Sequence, residues 1–177
     1  ATGKKWVNYW MHGEFLQVDG GKMSKSLGNV YLIEDLIKKG FQPLAYRYFC
    51  FTGHYRSQLN FTWESLTAAQ RALENLRSEV SKLRADPTLN PSPRGEGGGE
   101  VSFKQRFLEA INDDLNMPQA IAVLWDTMKS SDLSPGQKLA LIGDYDRVLG
   151  LDLLDSKKDS GLPAEVTELL QKRKEAR

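Results

Sequence analysis

Apolar residues step by three and four from Leu66 to Leu83, through Ala69, Leu73, Leu76 and Val80. That spacing puts all six on one face of a helix over residues 62–85, the most regular stretch of the chain. The seam has heptad character but is too short for a long coiled coil, so it predicts an antiparallel helix pair with one partner. Weaker versions of the same period lie on both sides. Leu32, Ile33, Leu36 and Ile37 predict a short amphipathic helix, closed by Lys38-Lys39-Gly40 with the glycine just past its end. Pro43 suits the first turn of the next helix, which carries Tyr46, Phe49 and Cys50 and stops at Gly53.

Downstream, Phe103, Phe107 and Ile111 sit at i, i+4 and i+8. Asn116 is placed to cap a following helix, with Pro118 in its first turn and Ile121, Leu124, Trp125 and Met128 as its apolar stripe. Ser134-Pro135-Gly136-Gln137 is a capping box with proline at the first helical position, leading into Leu139, Ile142, Tyr145 and Leu149, and Gly150 closes that helix. A last helix is predicted from Pro163, burying Val166, Leu169 and Leu170. Two regions depart from helical period. Residues 6–18 are rich in aromatic and β-branched side chains and predict a short strand or hairpin, with Asp19-Gly20-Gly21 as a turn. Residues 86–100 hold three prolines and four glycines and predict a linker or irregular insert.

Composition changes this picture little. Of 177 residues, 40% are hydrophobic and 27% charged, which suits an ordinary folded chain with a buried core. The net charge of +1 means that any contact with nucleic acid must come from a local patch. A single cysteine, Cys50, excludes an intrachain disulfide and a cysteine-rich zinc site, and its setting in Tyr48-Phe49-Cys50-Phe51 reads as small apolar core. No apolar run reaches membrane-spanning length and no signal-peptide core is visible, so a reduced, cytoplasmic setting is expected. The missing initiating Met and the uncapped polar end at residues 171–177 suggest a part of a longer chain.

The chemistry concentrates in Lys22-Met23-Ser24-Lys25-Ser26-Leu27-Gly28-Asn29. Two lysines at i and i+3 on a polar loop can close over a triphosphate, with Ser24 and Ser26 as hydroxyl donors and Met23 as an apolar anchor. Gly20, Gly21 and Gly28 provide hinges, and the eight residues read as flexible. Such a loop suits attack on an α-phosphate with pyrophosphate leaving, where preplaced ammonium groups meet charge growing on the phosphoryl oxygens. Losing one such donor typically costs about 3–4 kcal/mol of barrier. The competing reading is a solvated Lys/Ser turn. Residues 53–61 gather His54, Tyr55, Arg56 and Gln58, donors and aromatic faces that could touch RNA or form a buried polar network locking the neighbouring helices. His12 reads as structural beside its aromatic neighbours.

The octet from Lys22 to Asn29 resembles the second signature of class I aminoacyl-tRNA synthetases at every position. Tyr9-Trp10-Met11-His12 with Val18-Asp19 before it looks like the cysteinyl-tRNA synthetases. So do Tyr46-Arg47-Tyr48-Phe49, the run from Gly53 to Phe61, and Asn112-Asp113-Asp114-Leu115-Asn116-Met117-Pro118-Gln119-Ala120 after it. The resemblance covers nearly the whole chain outside residues 86–100. It implies a mainly α protein: the short β/loop tail of a class I, Rossmann-type catalytic domain over 1–40, stem-contact helices over 41–85, and a tRNA-binding type of antiparallel helical bundle over 101–177. It also implies ATP, cysteine and tRNA-Cys as substrates and the rest of the synthetase chain as a partner. Lys22 and Lys25 would be catalytic, residues 22–26 would bind ATP, and Arg56 is a candidate tRNA contact.

Departures from the family pattern limit that implication. The other class I signature, His-x-Gly-His, is absent, since Met11-His12-Gly13-Glu14 lacks the second histidine. The zinc of the full-length family has its ligands upstream of the residues matched here. Neither His12 nor Glu14 corresponds to them, so no metal site is assigned. The resemblance therefore implies a middle-to-late part of the enzyme, inactive alone. Two other readings stand beside it: a relative that joins cysteine to an amino sugar in mycothiol synthesis, and a non-catalytic helical module binding tRNA or protein.

Overall fold

The computed structural model describes Gly3, residues 7–86 and residues 98–154, with the backbone alone for 98–100. The expected helix from Pro163, the polar end at 171–177 and most of the 86–100 stretch lie outside the described residues.

Three two-residue strands form a small sheet in the order β2-β1-β3. β1 (Gln17–Val18) pairs antiparallel with β2 (Gly21–Lys22) and parallel with β3 (Asn60–Phe61). The hairpin between β1 and β2 turns through Asp19 (φ 49°) and Gly20 (φ 75°), two left-handed residues in a row. Those angles define the tight turn that matches strand twist, and Asp-Gly is a preferred pair for it. The strand expected somewhere in 6–18 is thus confined to the end of that stretch. Val18 and Phe61 face each other across the parallel pair and are both buried, which sets the sheet's register.

Among the described residues six α-helices follow the predicted pattern closely. α1 (Ile33–Lys38) is followed by Lys39 as its C-cap, and Gly40 takes φ +85° beyond it. Asp35 accepts from the Leu32 amide at 2.9 Å and so braces its first turn. α2 (Pro43–Phe51) starts on its proline. α3 (Trp63–Ala85) is opened by Thr62, whose hydroxyl accepts from the Ser65 amide at 3.0 Å while Ser65 Oγ accepts from Thr62 N. α4 (Gly98–Asn112) begins inside the stretch expected to be irregular, because the three residues before Val101 are drawn into the helix that the Phe103–Phe107 period demands. α5 (Met117–Lys129) is capped by Asn116, and α6 (Pro135–Leu149) has the Ser134/Gln137 capping box.

Leu66, Ala69, Leu73, Leu76 and Val80 of α3 are all buried, with Leu66, Leu73 and Leu76 at 0% exposure. The expectation of one partner helix needs correcting: the seam packs chiefly on α2 and also on α6. A 23-residue helix is longer than α2, which has nine residues, so the remainder of the stripe needs a second neighbour. One continuous apolar core results, running from Val18 to Leu153 and including Phe107, which stacks on Tyr145 with centroids 4.1 Å apart.

Polar contacts reinforce the join. Trp125 Nε1 on α5 donates to Tyr48 Oη on α2 at 3.0 Å. The carbonyls left open after α6 are met by arginines from α2 and α3: Arg47 reaches Gly150 O (2.8 Å), Arg77 reaches Leu151 O (2.9 Å), and Arg84 donates to Leu154 O. Gly150 suits its place on two counts, for it takes φ +58° and a Cβ there would push the Arg47 guanidinium off its present position.

Candidate nucleotide loop and its supports

The loop expected to be flexible is a defined turn. Ser24 caps a short 3-10 turn (Lys25–Leu27): its Oγ accepts from Leu27 N at 3.3 Å and lies 3.2 Å from Ser26 Oγ. Gly28 closes the turn in the left-handed region at φ +67°. Asn29 ties the two ends together, its Oδ1 accepting from Ser24 N (2.8 Å) and its Nδ2 donating to Lys22 O (3.0 Å). One side chain thus supplies both the donor and the acceptor that a composition-based reading cannot see.

Met23 is the apolar residue of the loop and is half-buried against the core. It lines a cavity of about 210 Å³ with Leu16, Tyr31, Leu36, Tyr46 and Phe61. Lys22 and Lys25 are exposed, and among the described residues no carboxylate pairs with either. Lys22 stands at the end of β2 and Lys25 opens the 3-10 turn. Two uncompensated ammonium groups on a braced turn can receive an anionic ligand without first breaking an ion pair.

The hairpin beneath the loop is pinned to the segment that includes β3. Glu14 N donates to Tyr55 O (2.7 Å), Gln17 N to Leu59 O (2.9 Å) and Asp19 N to Phe61 O (3.0 Å). Asn60 Oδ1 accepts from Gly20 N at 2.8 Å, holding the apex of the β1–β2 turn. Below lies an aromatic group of Tyr31, Phe41, Phe61 and Trp63, with Lys39 Nζ 3.9 Å from the Trp63 ring centre. Asn29 and Asn60 both lie within the motifs already singled out, but nothing in their type or spacing marks them as braces.

His54, Tyr55 and Arg56 do form a network, with Asp114 as its hub. Arg56 donates to the carboxylate through Nε (2.6 Å) and Nη2 (3.2 Å), and Tyr55 Oη donates to Oδ1 at 2.6 Å. His54 Nε2 lies 3.0 Å from the Asp114 backbone oxygen. The expectation of a buried network is corrected on one point: Arg56 is 66% exposed and Asp114 47%, so it faces solvent at the surface. Arg56, and then Tyr55, hold the Asp114 carboxyl below its ordinary range, while donation to that carboxylate pushes the Tyr55 phenol up.

Other candidates are scattered. His12 stacks on Trp10 with centroids 5.8 Å apart. Cys50 is half-buried and free, and burial raises its thiol pKa although Tyr46 hydrogen-bonds to it. Among the described residues no three His, Cys, Asp or Glu side chains converge to hold a metal. No helix among the described residues is long and apolar enough to cross a membrane.

Comparison with known proteins places these motifs. Residues 1–71 match the family described as tRNA synthetases class I (C) catalytic domain, and residues 106–131 match the DALR domain. Cysteine–tRNA ligase 1 of Burkholderia lata is 44% identical over 179 aligned residues, covering 100% of this chain and 36% of its own length. The cysteine–tRNA ligase of Treponema denticola is 35% identical over 201, covering 100% of this chain and 41% of its own length. That of Opitutus terrae is 40% identical over 177, with 98% and 35% covered. The chain spans between about a third and two fifths of the length of these relatives. Two family matches lie in order along the chain, and its similarity to part of the cysteine–tRNA ligases runs from end to end.

Proposed function

We propose that the chain serves as the nucleotide-loop and helical part of a cysteine–tRNA ligase. The carrying observation is the exposed lysine pair, which meets no carboxylate among the described residues, on a turn braced by Asn29 and anchored by Met23. In this reading a cysteine carboxylate oxygen attacks the α-phosphorus of ATP. The α–β bridging P–O bond breaks and pyrophosphate leaves, giving a cysteinyl adenylate. A terminal ribose hydroxyl of tRNA-Cys then attacks the carbonyl carbon, losing its proton as AMP leaves. Lys25, assisted by Lys22, stabilises the charge that gathers on the phosphoryl oxygens in the first step, and residues 22–26 bind the triphosphate.

Residues 1–40 contribute the end of the catalytic domain, 41–85 the stem-contact helices, 86–100 the connection and 101–177 a helical tRNA-facing region. Arg56 is a candidate RNA contact because much of its side chain stays exposed while Asp114 holds it. The setting is cytoplasmic, where tRNA is charged. The names of the relatives favour tRNA over an amino sugar as acceptor. The site as it stands lacks the His-x-Gly-His signature, so catalysis needs that half from elsewhere.

ATP–pyrophosphate exchange tests this. The chain alone is expected to show none, whereas the Burkholderia lata ligase with its matching segment replaced by this chain is expected to exchange. Robust exchange by the isolated chain overturns the half-site reading. A folded but inactive chimera that still binds tRNA overturns the loop assignment.

A further inference from the structure

Asp114 occupies an unusual position. It and Leu115 both take left-handed backbone angles, φ 51° and 54°, between α4 and α5. For a leucine this conformation is costly, and it persists only where surrounding contacts hold it. Local contacts provide some of that hold: Leu115 N donates to Ile111 O (3.2 Å), Asn116 N to Ala110 O (3.0 Å) and Met117 N to Leu115 O (2.7 Å). The rest comes from about sixty residues away, through Tyr55 and Arg56 on the Asp114 carboxylate and His54 at its carbonyl.

A lone exposed ion pair contributes little to stability. This one differs in kind, because one carboxylate takes three donated hydrogen bonds from two adjacent residues. Those two residues open the segment that pairs with the hairpin. Tyr55 O accepts from Glu14 N, Leu59 O from Gln17 N, and Asn60 Oδ1 from Gly20 N. Gly20 is two residues from Lys22. A run of hydrogen bonds therefore joins the start of α5 to the base of the lysine loop, with no gap between Asp114 and Gly20 other than the backbone of 55–60.

We propose that Asp114 is a positioning residue for the lysine loop, acting through Arg56 and Tyr55, so that the geometry of the α4–α5 junction and that of residues 14–22 shift together. Its consequence for catalysis rests on the function proposed above; the coupling itself does not. RNA bound on the helical region near this junction would bias the loop by this route, and nucleotide bound at the loop would reciprocally bias the junction.

Amide hydrogen exchange on the full chain without nucleotide tests the coupling. Asp114→Asn keeps a residue that tolerates the left-handed region and removes the charge. Exchange at Glu14, Gln17 and Gly20 should rise by about fivefold or more along with exchange at Leu115 and Met117, while Leu73 and Leu76 in α3 stay protected. A role confined to the junction would move only Leu115 and Met117, and that result overturns the proposal. Should Asp114→Asn also expose Leu73 and Leu76, Arg56→Gln decides, since it leaves the strained residue untouched. Acceleration at Glu14 and Gly20 with α3 intact supports the coupling, and unchanged exchange there overturns it. A separate arm adds ATP to the unmutated chain: absence of ATP-induced protection at Ser24 counts against the nucleotide reading alone.

Discussion

α3 and the lysine hairpin sit on the same core yet are held in different ways. α3 buries five of its apolar residues and is fixed by close packing against two helices. The hairpin buries only Val18 and, in part, Leu16 and Met23; its remaining hold is a set of hydrogen bonds from Asn29, Asn60 and the backbone of 55–61. Burial is non-directional and tolerates little opening, whereas hydrogen bonds exchangeable with water hold a shape at small net free energy. The contrast suits a helix that must stay put and a loop proposed to meet a triphosphate and let pyrophosphate go.

Leu73→Ala should break the first side of that contrast with the largest effect. The residue is fully buried, and the loss expected is about 2–5 kcal/mol of unfolding free energy, read by urea titration. Lys25→Ala is the matching change on the second side. In the chimeric ligase it should slow adenylate formation on the order of a hundredfold to a thousandfold, about 3–4 kcal/mol of barrier, and leave the unfolding midpoint of the chain where it was. A stability loss comparable to that of Leu73→Ala would mean that the loop is part of the packed core. Thr62→Ala removes the α3 cap and should cost about 1 kcal/mol by the same titration.

A smaller effect is expected at alkaline pH. Burial, and then neighbouring Cys50, push the Tyr46 phenol up to about 12 from an ordinary 10.0. The folded state thus keeps a proton that the unfolded state gives up. The stabilisation is fully present below about pH 10 and is lost as pH rises towards about 12. Tyr46→Phe should flatten part of that decline, and tyrosinate absorbance followed against pH gives the direct readout. Tyr145, raised mainly by its own burial, keeps the remainder of the slope in place.

Most of the helical frame was legible from the chain alone. Caps at Asn116 and Ser134, proline at the start of α2 and α6, and the period of α3 are local properties, each decided by a few neighbouring residues. The lysine loop was legible for a different reason: its eight residues match a signature, while composition suggested only a mobile polar stretch. Its order comes from Asn29, and reading that bond requires knowing that residues 22 and 29 lie side by side.

The sequence by itself determined the helices, their apolar faces, the Asp19-Gly20 turn and the family resemblance, because backbone preference, side-chain period and motif order are all written along the chain. Tertiary structure alone decided what meets what. It brought α6 as well as α2 onto the α3 seam, set three arginines on the carbonyls after α6, and placed Asp114 under Arg56 and Tyr55. These contacts join residues tens of positions apart and give no periodic signal, since a single carboxylate or guanidinium satisfies whichever distant partner the packed core delivers to it.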